Sequence, residues 1–414
     1  MSLWHCLIIH LMWVPMFYPV HLNLQNRKCL VVGGGTVAER KAVAMLISGG
    51  VVTVISPDST ELLDFLADNG TIRLIRRDYR NGDTEGYFLV CAATDTTSIN
   101  TSVYEEAHIK NRIALVNVVD VIPQCTFAAA SVVTDGEIVI SISTSGKSPA
   151  TSRRIREYLE ERLNVASLYT LGYDYEHGQG KPVPIENQRL PYPVYLLLQN
   201  RNCVVINSEN TTEIEQRIQL LQRCGATVKC QNTNSVNLEE LEDAFLVISE
   251  DHTAIDPIRK NLGSYIFECL DRPAAGTHIT PKLVIDDNLI ISISARTPKG
   301  LKTAERLHKS LVHQFENRGY GKFIDFLGTL RPKVLKTFST SKERADYFEN
   351  LIDYVGIDRS FKNTIPAKVD NLTDTTDTCC LRLKQSDCHA ECLFNWVLQG
   401  KLNKASELSE RLLM

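Results

Sequence analysis

The chain has 414 residues, which at about 150 residues per domain predicts two or three domains. Hydrophobic residues make up 43% and charged residues 23%, a composition that excludes global disorder and a polytopic membrane protein. Lys and Arg number 45 against 49 Asp and Glu, and the resulting net charge of -4 excludes a strongly basic nucleic-acid binder. The 12 cysteines do not indicate a disulfide framework, because the chain is not of the small secreted type.

The first 20 residues are apolar but contain neither Lys nor Arg, and Pro15 and Pro19 interrupt them. This segment is a poor signal peptide and too short for a spanning helix. We therefore predict an N-terminal extension over residues 1–17, with Met16 as a candidate natural start; a hydrophobic anchor is the alternative. Elsewhere no stretch approaches about 18 uninterrupted apolar residues, so we expect a cytoplasmic protein without a membrane partner.

A strand, a glycine-rich turn and a helix follow in direct succession. Residues 28–32 form a short run of β-formers that predicts a buried strand, and the sequence GGGTVA after it fits the G-x-G-x-x-A pattern. Residues 38–48 have helical spacing, and residues 51–55 predict the next strand. This order within about 30 residues indicates a dinucleotide-binding unit of the Rossmann type.

The glycine positions have a physical reason. Gly33 allows the tight turn, Gly35 lets a pyrophosphate approach the backbone, and the small Ala38 lets the helix pack on the strand. The positive end of the helix dipole then faces the phosphates.

The acidic residue that usually contacts the ribose is displaced in this sequence. The strand over 51–55 is followed by Ser56, Pro57 and Asp58. Asp58 is the candidate for the ribose hydroxyls although it lies beyond Pro57, and it favours NAD over NADP.

Two later predicted strands, over 87–93 and 114–119, are followed by polar residues. Thr94 and Asp95 come after the first strand and Asp120 after the second. Ligands of open parallel sheets bind beyond the carboxyl ends of the strands, so these residues are candidates for the site. Alternatively, Asp95 caps a helix predicted over 99–110, and Asp120 is only a turn residue.

Four blocks of sequence in this order resemble one known family: YPVHLNLQNRKCLVVGGGTVAERKA (18–42), VCAATD (90–95), NVVD (117–120) and SISTSGKSPATSRRIREYLE (141–160). Together they are similar to the siroheme-synthase N-terminal family of precorrin-2 dehydrogenases and sirohydrochlorin ferrochelatases. The resemblance covers residues 18–163. It implies NAD-dependent removal of two hydrogens from precorrin-2 to give sirohydrochlorin, followed in some members by insertion of Fe2+ to give siroheme.

The resemblance also implies roles for single residues. The aspartate of NVVD, Asp120, is implicated in catalysis, and Ser148 lies at the edge of the substrate cleft. The candidate cofactor-binding residues are Gly33, Gly34, Gly35, Thr36, Val37, Pro57, Asp58 and Thr94. Because the substrate carries many carboxylates, cations are candidate counter-charges, above all Lys147 and Arg153, with Arg40, Lys41, Arg154 and Arg156. For the three arginines of residues 153–156, a solvated helix face is the alternative.

Residues 192–205 (YPVYLLLQNRNCVV) repeat residues 18–31 (YPVHLNLQNRKCLV). The glycines are replaced by Asn207, Ser208 and Glu209, so we predict that this second copy does not bind a dinucleotide by this route. Two interpretations stay open. In one, the copy is a pseudo-subunit that lets one chain imitate a homodimer; in the other, Asp271 (opposite Asp120), His278 and their neighbours form a metal or tetrapyrrole site.

The cysteines sort by position. Some lie in predicted buried strands and behave as small hydrophobic residues: Cys29, Cys91, Cys203 and Cys269. A second group crowds a C-terminal stretch and is a candidate site for Fe2+, Zn2+ or an iron–sulfur cluster: Cys379, Cys380, Cys388, His389 and Cys392. The alternative for this group is a reduced tail ahead of a helix over 393–413.

The sequence thus predicts an α/β fold with a duplicated Rossmann-like domain, whose second copy is degenerate, and a small helical C-terminal domain. The predicted segments are an extension (1–17), an NAD-binding precorrin-2 dehydrogenase-like domain (18–163), a linker (164–191), the second copy (192–315), a helical domain (316–365) and a Cys-rich tail (366–414). The expected function is that of a precorrin-2 dehydrogenase, with ferrochelatase as an additional activity. The expected assembly is a homodimer or an intrachain pseudo-dimer. The alternative function is a non-catalytic tetrapyrrole or iron carrier that retains the fold.

Overall fold

The computed structural model describes residues 16–134, 137–163, 190–256, 266–295, 298–353, 393–411 and 413. The five candidate metal ligands between Cys379 and Cys392 lie outside these residues. The chain folds into two compact units. Unit one comprises Met1–Ala130 and Leu168–Pro281, and unit two comprises Ser131–Ser167 and Lys282–Met414. Among the described helices, none has the length and apolar character needed to cross a membrane.

In unit one, a five-stranded parallel sheet has the strand order β4-β3-β2-β5-β6. The strands are β2 (Lys28–Val32), β3 (Val51–Ile55), β4 (Arg73–Ile75), β5 (Leu89–Ala92) and β6 (Leu115–Val118). The helices are α1 (Thr36–Ile47), α2 (Glu61–Asp68) and α3 (Thr97–Tyr104). Apart from Lys28, every residue of β2, β5 and β6 is buried, as a parallel sheet covered on both faces requires. The predicted Rossmann-like α/β unit is therefore present.

The helix predicted over 99–110 begins earlier and ends differently. Helix α3 is followed by a π-helix over Glu105–Lys110. Glu106 in this wider turn is buried, and its carboxylate accepts hydrogen bonds from the hydroxyls of Tyr79 at 2.7 Å and Thr84 at 2.9 Å. The helical spacing alone carries no sign of these tertiary contacts. The predicted cap Asp95 is wrong, because Thr96 is the N-cap and makes no side-chain capping bond.

A second parallel sheet of unit one has the order β12-β11-β13-β14. Its strands are β11 (Asn202–Asn207), β12 (Thr227–Asn232), β13 (Leu246–Ser249) and β14 (Ile266–Cys269). Its helices are α5 (Thr212–Arg223) and α6 (Leu238–Glu242). The order β12-β11-β13-β14 is that of β3-β2-β5-β6 in the first sheet, and α5 follows β11 as α1 follows β2.

A third sheet of unit one joins the two copies, with the order β15-β1-β10-β7 and antiparallel pairing throughout. Its strands are β1 (Tyr18–Leu22), β7 (Phe127–Ala129), β10 (Tyr192–Leu196) and β15 (His278–Ile279). In the register of β1 with β10, Val20 pairs with Val194, its own counterpart in the repeat. A position that pairs with its own counterpart is the signature of an isologous two-fold interface, formed here within one chain.

Unit two contains one antiparallel sheet of order β16-β17-β9-β8. Its strands are β8 (Ser131–Thr134), β9 (Ile138–Ser143), β16 (Lys282–Asp286) and β17 (Leu289–Ala295). Ser141 pairs with Ser292, its counterpart in the repeated ISIS sequence, and the two hydroxyls lie 2.5 Å apart. The pairing of β9 with β17 is therefore also two-fold about equivalent residues.

The helices of unit two surround a core rich in aromatic residues. They are α4 (Pro149–Leu163), α7 (Pro298–Phe315), α8 (Tyr320–Thr337), α9 (Ser341–Asp353), α10 (Leu393–Leu398) and α11 (Leu402–Arg411). Phe394 of α10 packs against Tyr320 and Phe323 of α8, with ring centroids 5.2 Å apart in both pairs. The single helix predicted over 393–413 is wrong, because Gly400 with φ of +71° separates two helices.

The division into units departs from the linear boundaries predicted at residues 163 and 191. Strands β8 and β9 belong to the first copy in sequence, yet they pair with β16 and β17 of the second copy rather than with the five-stranded sheet. Each copy thus contributes to both units, because strand pairing between the copies outweighs proximity along the chain.

The two copies differ in a polar pair at equivalent positions. In the first copy Lys41 donates to the amide oxygen of Asn117 at 2.8 Å. In the second copy Arg217 and Glu268 form an ion pair of 2.7 Å, with side chains 14% and 5% exposed. Thr280 donates to Glu268 through both its hydroxyl and its backbone N–H.

We expect Arg217→Met to lower the free energy of unfolding by about 3 kcal/mol, because it leaves the Glu268 carboxylate buried without its cation. The matched control is Lys41→Met in the first copy, where only a neutral amide loses its partner and the expected loss is about 1 kcal/mol. The measurement is the urea midpoint of each variant. Equal destabilisation by the two substitutions would contradict the prediction.

Candidate active site

The glycine loop between β2 and α1 contains three consecutive glycines, and the structural requirement for glycine differs among the three positions. Gly33 has φ of +119°, and its N–H donates to the Ile55 carbonyl at 2.9 Å. A Cβ on Gly33 would overlap the carbonyl oxygen of Ala93, and one on Gly34 would overlap that of Asp58. A Cβ on Gly35 would meet no atom within 4 Å. Packing therefore requires the first two glycines, whereas the third lies under open space.

The open space lies at the N-terminus of α1. Gly35 is the N-cap of this helix and no side chain caps it, so the first N–H groups are free of side-chain partners. Gly35 and Thr36 are exposed, Val37 is half-buried, and Ala38 is fully buried where the helix packs on the sheet. Unpaired N–H groups at a helix N-terminus bind anions, so a dinucleotide pyrophosphate fits this cradle.

Pro57 and Asp58 follow β3 and are both exposed. The loop that carries them is joined to the glycine loop, because Thr60 donates its N–H to the Gly34 carbonyl at 3.0 Å. Asp58 thus lies beside the glycine loop, where the sequence predicted the contact with the ribose.

We expect Asp58→Asn to weaken NAD binding by about 10-fold, because a charge-assisted hydrogen bond to a ribose hydroxyl contributes about 1.5 kcal/mol or more. NADP binding should change less or improve, since the carboxylate that repels a 2′-phosphate is gone. Titration of both dinucleotides against wild type and variant measures this. An unchanged ratio of the two dissociation constants would exclude Asp58 from the ribose site.

Thr94, at the carboxyl end of β5, has its polar groups engaged within its own loop. Its hydroxyl donates to the Asn100 amide oxygen at 2.8 Å, and its carbonyl accepts from the Asn100 amide nitrogen at 2.8 Å. Asn100 is buried and was missed by the sequence reasoning, because a single Asn inside a predicted helix carries no pattern. The contacts indicate that Asn100 shapes the loop beside Gly33.

Asp120 lies in the turn after β6, at the same edge of the sheet as the glycine loop. Its φ is +62°, and it is exposed. The preceding Val119 N–H donates to the Ala92 carbonyl at 3.0 Å, which fixes the turn to the end of β5. Within the described part of the chain, the Asp120 carboxylate has no hydrogen-bond or ion-pair partner. It is therefore available to a substrate.

The candidate substrate residues Lys147, Ser148 and Arg153 belong to unit two. Ser148 is buried at the start of α4, where its hydroxyl lies 2.9 Å from that of Thr151. Lys147 forms an ion pair of 2.6 Å with Asp325, and Arg153 forms one with Glu349. These polar groups therefore have partners within the chain, which the local sequence could not reveal.

The equivalent loop of the second copy satisfies its own polar groups. Ser208 donates its N–H and its hydroxyl to the Glu250 carboxylate, at 2.8 and 3.0 Å. Helix α5 is capped by the Thr211 hydroxyl, which accepts the Ile214 N–H at 3.3 Å. In addition to the loss of the glycines, the second copy therefore has a protein carboxylate on the N–H of Ser208, the residue that replaces Gly34.

Asp271, the counterpart of Asp120, is also engaged. Its carboxylate accepts the backbone N–H of His252 at 3.0 Å and lies 2.5 Å from the His252 ring nitrogen Nδ1. One potential ligand atom from each of Asp251, His252 and Asp271 lies within 4.8 Å of the others. His278, which one of the two interpretations places in a site with Asp271, lies outside this group: it is buried in β15, and burial lowers its pKa to about 4.

The cysteines predicted to lie in buried strands do so. Cys29, Cys91, Cys203 and Cys269 are buried free thiols. Burial raises the pKa of the Cys91 thiol to about 11, so it is protonated near neutral pH.

The fold and the glycine loop define a Rossmann-type NAD(P)-binding protein. The comparisons agree: a family model described as "Putative NAD(P)-binding" matches residues 20–131. The chain is 37% identical over 147 residues to "Siroheme synthase" of Photobacterium profundum, covering 36% of this chain and 31% of that protein. It is 35% identical over 172 residues to "Siroheme synthase" of Acinetobacter baylyi, covering 41% of this chain and 35% of that protein.

A solved structure, "SirC, precorrin-2 dehydrogenase", is 30% identical and covers 38% of this chain and 74% of that one, with a TM-score of 0.31. The chain therefore belongs to the siroheme-synthase N-terminal family, as its sequence motifs predicted. It spans about a third of the length of these curated relatives.

Proposed function

We propose that this chain oxidises precorrin-2 to sirohydrochlorin, with NAD as the hydride acceptor. The observation that carries the proposal is the unpartnered Asp120 carboxylate at the sheet edge that also holds the open glycine loop. The relationship to siroheme synthases and to a precorrin-2 dehydrogenase supports the choice of substrate.

The proposed reaction removes one hydride and one proton from the tetrapyrrole. NAD, when bound, supplies the hydride acceptor. Gly35 and the N-terminal N–H groups of α1 hold the pyrophosphate, and Asp58 contacts the ribose. The Asp120 carboxylate accepts the proton, a role open to an exposed carboxylate without competing partners. The products are sirohydrochlorin, NADH and a proton.

The second copy, in this proposal, supports the fold and not the chemistry. In the loop that replaces the glycine loop, the Glu250 carboxylate accepts the Ser208 N–H, and the carboxylate of Asp271 is bound by His252. Each chain then carries one dinucleotide site, and the two copies form a pseudo-dimer within the chain through β1 with β10 and β9 with β17. The proposed partners are the tetrapyrrole and NAD, and the proposed compartment is the cytoplasm.

Insertion of Fe2+ into sirohydrochlorin is a second proposed activity. The favouring observation is again Asp120, because an exposed, unpaired carboxylate can accept pyrrole protons or contact a divalent cation such as Fe2+. Fe2+ is here a substrate. The test is the rate of siroheme formation from sirohydrochlorin and Fe2+ with purified chain. A rate no faster than without protein would remove this activity and leave the dehydrogenase proposal intact.

The test of the principal proposal is anaerobic incubation of the purified chain with precorrin-2 and NAD. The expected result is formation of NADH and sirohydrochlorin in equal amounts. The competing function is a non-catalytic tetrapyrrole or iron carrier. Binding of sirohydrochlorin without turnover and without NAD binding would support the carrier function and contradict the proposed enzymatic function.

A further inference from the structure

The turn that carries Asp120 has a conformation that needs support. Val121 donates its N–H to the Val118 carbonyl at 3.3 Å, which closes a four-residue turn with Asp120 at its third position. Asp120 alone in this turn has positive φ, the pattern of a type II turn, where Gly or Asn is the usual residue. A residue with a Cβ is disfavoured in this left-handed region, so neighbouring contacts must hold it.

The Cys125 thiol lies against both ends of this turn. Its sulfur is 3.2 Å from the Val118 carbonyl oxygen and 3.3 Å from that of Val121, and it accepts the Val118 N–H at 3.3 Å. Asn117 also donates its side-chain N–H to this sulfur, at 3.5 Å. Burial raises the pKa of the Cys125 thiol, so near neutral pH it keeps the proton that it donates to one of the two carbonyls at a time.

The second copy provides an internal comparison. Thr126 and Thr277 are equivalent, since the hydroxyl of each accepts a backbone N–H of the strand before it, from Val116 and Phe267, both at 2.8 Å. The residue before Thr277 is Gly276, so the second copy has no thiol at this position.

The aspartate of that copy differs accordingly. Asp271 is not among the residues with positive φ, and its carboxylate is bound by His252. The thiol, the left-handed aspartate and the unpartnered carboxylate therefore occur together in the copy with the glycine loop. All three are absent from the copy without it.

We propose that Cys125 is a positioning residue for Asp120: its thiol bridges the ends of the turn and keeps the aspartate in the conformation that presents a free carboxylate. This inference rests on the proposed role of Asp120 as proton acceptor. It assigns Cys125 no contact with substrate or dinucleotide.

The test compares Cys125→Ala, Cys125→Ser and Cys203→Ala in the full chain. Cys125→Ala should lower kcat for NADH formation by about 10- to 100-fold, because displacement of a reacting group by about 1 Å has an effect of that size. KM and the NAD dissociation constant should stay within about twofold, since no ground-state contact is removed. Cys125→Ser should recover part of kcat, because a hydroxyl also donates and accepts.

Cys203→Ala is the matched control, as it removes a buried thiol from β11 of the second copy, away from the turn. Its kcat should equal that of wild type. A kcat of Cys125→Ala equal to that of Cys203→Ala would overturn the proposal.

A second readout does not depend on turnover. Amide hydrogen exchange of Val121 reports the turn hydrogen bond directly, and a crystal structure reports φ of Asp120. Both should change in Cys125→Ala and not in Cys203→Ala. If wild type lacked dehydrogenase activity, the proposed function would fail, and these two measurements would still decide the role of Cys125. An unchanged φ and unchanged exchange would overturn it.

Discussion

Asp120→Asn is expected to lower kcat for precorrin-2 oxidation by about 100- to 10 000-fold, the range that a positioned general base contributes. The substitution keeps the size of the side chain and its tolerance of the left-handed conformation, because Asn adopts positive φ as readily as Asp. The NAD dissociation constant should be unchanged, since the glycine loop is untouched. Steady-state kinetics and dinucleotide titration on the same preparation measure both.

The matched control is Asp271→Asn, at the equivalent position of the second copy. Asp271 is bound by His252, so its loss should leave kcat unchanged and affect only local contacts. If Asp120→Asn kept more than about a tenth of wild-type kcat, Asp120 would not be the general base. If Asp271→Asn reduced kcat as strongly, the second copy would be part of the chemistry.

Gly35→Glu is expected to weaken NAD binding by about 100-fold or more while the chain stays folded. Gly35 has φ of -77° and ψ of -178°, which any residue adopts, and a Cβ there meets no protein atom. The new carboxylate would occupy the space of the pyrophosphate, and apposed like charges cost several kcal/mol. Isothermal titration gives the dissociation constant, and the melting temperature should remain near that of wild type.

Its counterpart is Glu209→Gly, which removes the acidic residue from the second copy. The Glu250 carboxylate would still accept the Ser208 N–H, so the expected stoichiometry stays at one NAD per chain. A second bound NAD in Glu209→Gly would show that the second copy keeps a dinucleotide site. Wild-type affinity in Gly35→Glu would show that NAD binds elsewhere.

The parts of the fold that the sequence predicted are those encoded by local pattern. The β2 strand, the glycine turn and the helix after it follow from residue types within about 30 positions, and the structure confirms them with the helix beginning at Thr36. The buried thiols of Cys29 and Cys91 follow from their place in apolar runs.

The parts that could not be predicted depend on contacts between distant residues. The ion pair of Lys147 with Asp325 joins positions 178 residues apart, and the sequence around either residue does not indicate the other as its partner. The repeat predicted two equivalent copies, yet not the register in which Val20 meets Val194. The contacts of the Cys125 sulfur with the Val118 and Val121 carbonyls were missed because they follow from the path of a turn, for which the sequence offers no periodic signal.

The contact between Ser141 and Ser292 has a consequence for how the protein behaves on dilution. Two subunits that associate as separate chains lose their interface as the concentration falls below their dissociation constant. Here the strands that meet at these serines are covalently linked, so their effective concentration is set by the connecting chain and not by the amount of protein in solution. Dissociation of this pairing should therefore not lower the specific activity on dilution. A single substitution also changes only one of the two copies, whereas in a homodimer of identical chains it would change both.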